Sequence, residues 1–185
     1  TMSGIIGVSP DMKSGVVGGY PTGNVVQIVT DWFNGGDGSY GVTGSNPGGE
    51  ISTNFRFPIV PKMPRSKIIV SYQSTKMHVN NKMGYCQIGH EVTASGGTAT
   101  ASTMLGQLLS VQGHSQAQNA YFHYGDFASG TSDYAYDANF WEAEHSPSYT
   151  VGQKIWYSLI GYSSSGTWYI TNNGDVRFKA IEIQG

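Results

Sequence analysis

Cysteine is nearly missing from this chain of 185 residues, which holds only Cys86. One thiol excludes an internal disulfide and every multi-thiolate metal site. In the strand-like run Gly84-Tyr85-Cys86-Gln87-Ile88 it reads as a small buried residue, and its isolation fits a chain made in a reducing cytoplasm. Charge is scarce as well. Charged residues make up 12% and the formal net charge is -2, so nothing draws the chain to nucleic acid or to an anionic membrane. Lys62, Arg65 and Lys67 form the one basic cluster, which reads as a solvated loop. No apolar window approaches the length that spans a bilayer. Lys13 follows rather than precedes the apolar pair Ile5-Ile6, so no signal peptide is expected.

Glycine and aromatics are plentiful: 26 Gly, 12 Tyr, 7 Phe and 4 Trp. Many glycines beside many aromatics and few charges favour strands joined by tight turns, with enough apolar surface to form a core. The strand signals bear this out along the chain. Val25 to Val29 is apolar on both sides and reads as a central strand. Ile51 to Phe57 alternates, and Pro58, Pro61 and Pro64 then break the chain. Lys67 to Met77, Met83 to Val92, Phe140 to His145 and Lys154 to Tyr162 read as strands, with weaker candidates at 106–111 and 119–124. Residues 94–103 and 125–138 read as loops. Asn172-Asn173-Gly174-Asp175, between two β-branched and aromatic runs, predicts a closing hairpin.

Eight to ten short strands with turn signals between them predict an all-β fold, an antiparallel β-sandwich of jelly-roll type over residues 24–185. Residues 1–23 have neither helical nor strand period and read as an extended N-terminal arm. Its apolar residues, Ile5, Ile6, Val8, Met12, Val16 and Val17, would gain nothing in a solvated linker and are the candidate docking set. The last strand is awkward. Val176, Phe178 and Ala180 share one face, while Ile181 and Ile183 share the other. Either a bulge lies near Ala180 or both faces are covered there, the second cover being an oligomer interface.

Catalytic machinery is not evident. His78, His90, His114, His123 and His145 form no close-spaced ligand pair, and no metal or other cofactor is expected. Glu142 and Glu144 share a strand face, as a glycosidase pair could, but alternation alone puts two acids on a wet face. Asp126, Asp133 and Asp137 lack the order of a calcium loop. Neither a nucleophile elbow nor a phosphate-binding glycine loop is present. The aromatics crowded between Tyr121 and Trp141 read first as core and interface. A sugar-stacking surface built from Tyr134, Tyr136 and Trp141 with Asp133 and Asp137 is the second reading.

The segment Ser3-Gly4-Ile5-Ile6-Gly7-Val8-Ser9-Pro10-Asp11-Met12-Lys13-Ser14-Gly15-Val16-Val17-Gly18 is similar to a recurring stretch of tailed-phage virion structural proteins, especially those of aquatic phages. There Gly-x-Ser-Pro-x-Met-x-Ser-Gly-Val-Val-Gly leads into Pro-x-Gly-x-Val-Ile-Gln, and here Pro21-Thr22-Gly23-Asn24-Val25-Val26-Gln27 stands at that place. Ser66-Lys67-Ile68-Ile69-Val70, Thr167-Trp168-Tyr169-Ile170 and Ala180-Ile181-Glu182-Ile183 are similar to later strands of that family, and residues 80–149 hardly at all. The resemblance implies a fibre-like or capsid-decoration module, a homotrimer without enzyme activity that is assembled in the host cytoplasm and contacts other virion proteins. It carries over no catalytic residue. The rival expectation is a receptor-binding fibre tip that recognises a host-surface glycan.

Overall fold

Lys67 to Val79 carries the longest β run, and the rest of the fold is built around it. In the computed structural model, which describes residues 23–34, 39–42, 48–79, 84–109, 120–121, 135–163, 168–172 and 175–185, twelve strands are seen. They are β1 (Val25–Asn34), β2 (Ser39–Val42), β3 (Gly49–Glu50), β4 (Phe57–Ile59), β5 (Lys67–Val79), β6 (Gly84–Thr93), β7 (Leu108–Leu109), β8 (Ala120–Tyr121), β9 (Ala135–His145), β10 (Lys154–Ser163), β11 (Trp168–Asn172) and β12 (Asp175–Ile183). One short helix, α1 (Ala101–Leu105), lies between β6 and β7. All the pairings are antiparallel.

The strands form two sheets. In the first, β5 takes β9 on one edge and β12 on the other, with β1 outside β12 and β2 outside β11. In the second, β10 and β6 are the central pair, flanked by β3 and β4 on one side and by β7 and β8 on the other. Phe57, Ile88, Ile155, Tyr157 and Leu159 of the second sheet share one apolar cluster with Val70, Tyr72, Trp141, Val176 and Phe178 of the first. The fold is therefore a β-sandwich with its core between the sheets, and Cys86 is buried in it as a small apolar residue.

Three expectations are corrected. The strands β11 and β12 on either side of the Asn-Gly step do not pair as a hairpin. Tyr169 pairs with His78, and Val176 pairs with Ser74, so β11 and β12 run in one direction along one edge of β5. Turn chemistry is a local preference, whereas the 13-residue β5 offers an edge long enough for both segments. The run 25–29 is not central, because β1 lies at the border of its sheet, with Val25 and Ile28 exposed. The run 51–57 is not one strand. A 3-10 turn at Thr53–Phe55, capped by the Ser52 hydroxyl accepting from Asn54 N–H, separates β3 from β4. Pro58 sits within β4 rather than before it, which the border position tolerates.

The awkward last strand keeps its alternation. Val176, Phe178, Ala180 and Glu182 all point inward, and the pairing with β5 is unbroken from Val176 to Ile183. No bulge lies at Ala180. Glu182 is fully buried yet has no cationic partner among the described residues. Its carboxylate accepts from Gln27 Nε2 at 2.6 Å, the Ser66 hydroxyl at 2.7 Å, and the backbone N–H groups of Lys62 and Met63 at 3.0 Å. It thus fastens the 60–66 loop to β1 and β12. That loop includes Arg65 at φ 60°, a left-handed conformation that only outside support keeps a side-chain-bearing residue in.

Helix α1 lies within a stretch whose first part reads as loop. Met104 buries against Ala99 and Ile160 on the outer face of the second sheet. Gly89 makes this approach possible, because a Cβ there would lie 2.8 Å from both Ile160 Cγ1 and the Met104 carbonyl oxygen.

Candidate functional site

The outer face of the first sheet is where large side chains meet solvent. Cross-strand register sets its rows. Trp32 stands opposite Arg177, Arg177 opposite Gln73, and Gln73 opposite Phe140. Thr30, Lys179, Ser71 and Glu142 form the next row, and Ile28, Ile181, Ile69 and Glu144 the one after. Trp32 is 59% exposed and Phe140 57%, high values for aromatic rings on regular strands. Between them runs a groove of about 690 Å³, floored by Ser71, Gln73, Arg177 and Lys179 and edged by Thr30, Asp31 and Asp175. Three strand-to-strand steps of about 4.8 Å set the two rings about 14 Å apart.

The two ends of this face differ. The Trp32 end is a polar floor between two rings. At the other end Ile28, Ile69 and Ile181 are direct cross-strand neighbours, with Ile183 and Val25 just beyond. The ion pairs among the described residues are Arg56 with Glu50 and Lys67 with Glu144. Arg177 and Lys179 take part in neither.

Trp141 is corrected as a surface candidate. It is 2% exposed and packs in the core, because β9 alternates and turns Trp141, Ala143 and His145 inward while Phe140, Glu142 and Glu144 face out. That alternation was readable, and it singles out Phe140 as the exposed aromatic of the run. Tyr136 and Asp137 lie in β9 opposite His78 and Met77. Asp133 and Tyr134 lie outside the described residues, as do the arm residues Ile5, Ile6, Val8, Met12, Val16 and Val17. Trp32 was missed as a site residue. The signal for it was the alternation of Ile28, Thr30 and Trp32 against Val29, Asp31 and Phe33.

Glu142 and Glu144 lie on this outer face, but Glu144 is bound to Lys67 Nζ at 2.9 Å. Among the described residues no three His, Cys, Asp or Glu come together as a metal site would require, and no helix is long and apolar enough to cross a membrane. A second titratable group lies inside the sandwich. The rings of His90 and His145 lie against each other at a tilt of 42° with centroids 4.0 Å apart, and His145 Nδ1 is 3.0 Å from the Tyr157 hydroxyl. Burial and, after it, the neighbouring His90 push the His145 pKa down to about 3. Burial lowers that of His90 as well, and its Nδ1 has no partner. Compared with protein-family models and with curated protein sequences, the chain matches none.

Proposed function

We propose that this chain is a non-enzymatic structural module of a phage virion, a capsid decoration or fibre element. It assembles as a homotrimer and docks through its N-terminal segment onto a neighbouring subunit or another virion protein. The observation that carries this reading is the row Ile28, Ile181 and Ile69 on the outer face of the first sheet, extended by Ile183 and Val25. The last strand has no bulge, so Ile181 and Ile183 face outward beside the exposed Val25 and Ile28, and among the described residues this edge of the face stays open at Val25 and Ile28. A second copy is the natural cover.

Two further observations support it. Three of the segments that carry the phage resemblance, 24–27, 66–70 and 180–183, are far apart in sequence but adjacent in space. Val25 pairs with Ile183, Ala180 with Val70, and Ile183 with Lys67, so they form the strands β1, β12 and β5 side by side. Among the described residues, merging segments that follow one edge leaves eight places, which fall in the two sheets in the order one, two, one, two, two, one, two, one. That order reads the same in reverse, as a hairpin folded over itself would give, and supports the jelly-roll reading, an architecture used by viral shell proteins and by lectins.

Magnitudes bear on the arm. Burying roughly 300 Å² of apolar face at about 25 cal/mol per Å² is worth about 7–8 kcal/mol, against association costs of about 4–15 kcal/mol. The sheet face alone is thus marginal, and capture of Ile5, Ile6, Val16 and Val17 supplies the remainder. Deleting residues 1–22 leaves a domain with cooperative thermal unfolding that no longer joins particles when mixed with them. Undiminished incorporation, scored by electrophoresis of purified particles, contradicts the arm's role.

The second reading, a fibre tip that recognises a glycan on the host surface, draws on the groove between Trp32 and Phe140 rather than on the 133–141 set.

A further inference from the structure

We infer that the groove across the outer face of the first sheet binds an oligosaccharide of about three sugar units lying across the strands, with Trp32 and Phe140 as its stacking platforms. The inference deepens the second reading of the function and rests on it. A pyranose is amphipathic: one face presents C–H bonds, and the rim presents hydroxyls. A site for it therefore needs flat apolar surfaces separated by hydrogen-bonding groups, and this groove has that arrangement.

Trp32 and Phe140 stand at the two ends of one cross-strand row, both more than half exposed. Their separation of about 14 Å, three steps of sheet spacing, suits a chain in which the first and third units stack and the middle one lies over the floor. The floor offers matching polar groups. Arg177 and Gln73 are the two residues between the rings, and Lys179 and Ser71 form the next row. Arg177 is in none of the ion pairs of the described residues, so its planar fork of donors is available to adjacent hydroxyls or to a sugar carboxylate. Asp31 at the edge adds a carboxylate.

A contact with another copy of the chain fits this half of the face less well. The core of a protein interface is continuous and depleted in charge, whereas here a guanidinium lies between the aromatics and an ammonium in the row beside it. The isoleucine half has the opposite character, so one sheet face holds two surfaces of different chemistry.

The test is an array of short bacterial-surface and plant oligosaccharides probed with the full chain, followed by calorimetric titration of whichever member is selected. The expected result is selective binding that weakens about tenfold or more in each of Trp32→Ala and Phe140→Ala and severalfold in Arg177→Met. Thermal midpoint and molecular mass stay unchanged in all three. Selective binding that survives both aromatic variants overturns the groove assignment and leaves the glycan reading standing elsewhere on the molecule. No selective binding to any member overturns both. A fall in molecular mass in Trp32→Ala assigns the groove to contact between copies and also overturns the inference.

Discussion

Glu182→Ala lowers the stability of the fold by about 2–6 kcal/mol, the largest loss expected from a single polar substitution here. The figure follows from which donors are left without an acceptor. Gln27 Nε2 keeps the Val60 carbonyl at 2.8 Å, and the Ser66 hydroxyl keeps the Met63 carbonyl at 3.2 Å. The backbone N–H groups of Lys62 and Met63 have the carboxylate alone. Two orphaned amides at about 1–3 kcal/mol each give the range, a large share of the usual 5–15 kcal/mol for a domain. The 60–66 loop also loses its anchor near the left-handed Arg65. Glu182→Gln retains one acceptor oxygen and loses distinctly less. Urea unfolding at neutral pH reads both, and a change below about 1 kcal/mol in the alanine variant contradicts the clamp.

Acid is expected to unfold this protein through the paired histidines His90 and His145. The folded-state pKa of His145 is about 3, whereas an unfolded histidine titrates near 6.5. Between those values the unfolded chain binds a proton that the folded chain excludes. Stability is thus intact above about pH 6.5 and falls as the pH drops toward 3, by up to about 1.4 kcal/mol per pH unit for His145. His90, lowered for the same reason of burial, adds to the slope. His145→Gln keeps a polar group facing the Tyr157 hydroxyl but cannot titrate. The variant's melting temperature therefore falls less steeply with acid than that of the wild type. Carboxylates contribute equally to both proteins, so the difference isolates the histidine. Parallel acid limbs contradict the assignment.

The interior of the sandwich was legible from the sequence, and its borders were not. β5, β6, β9 and β10 alternate or run apolar because one or both faces are buried over 67–74, 86–92, 141–145 and 155–161. Border strands have weaker demands. β1 contains enough valine and isoleucine to read as central, yet it covers only one flank of β12. The Asn-Gly step has the residues of a hairpin, but pairing along β5 decides the path, and no local pattern encodes a distant edge. Helix α1 escaped because five residues are too few for a helical period. It forms because Met104 finds a place over Gly89. Glu182 escaped for a different reason. A lone glutamate in a strand reads as wet, and only its inward slot after Val176, Phe178 and Ala180 marks it as buried.

The candidate site was half legible. Alternation in β9 already placed Phe140 with the two glutamates on the outer side, so the aromatic to choose from that run was Phe140 rather than Trp141. Its partner Trp32 lies more than a hundred residues away in sequence, and only the strand order β1–β12–β5–β9 puts the two on one row. The conflict at Ile181 and Ile183 was legible in full. The structure resolves it against a bulge and turns Ile181 and Ile183, partly buried, to the outer face.

That face is the centre of the account, and its cover is measured directly by multi-angle light scattering on the purified chain at micromolar concentration. The account predicts a particle of three chains of 19.9 kDa for the wild type and a folded single chain for Ile181→Lys, which places an ammonium group in the middle of the isoleucine row. A wild-type protein that elutes as one chain, with the lysine variant indistinguishable from it, contradicts the account.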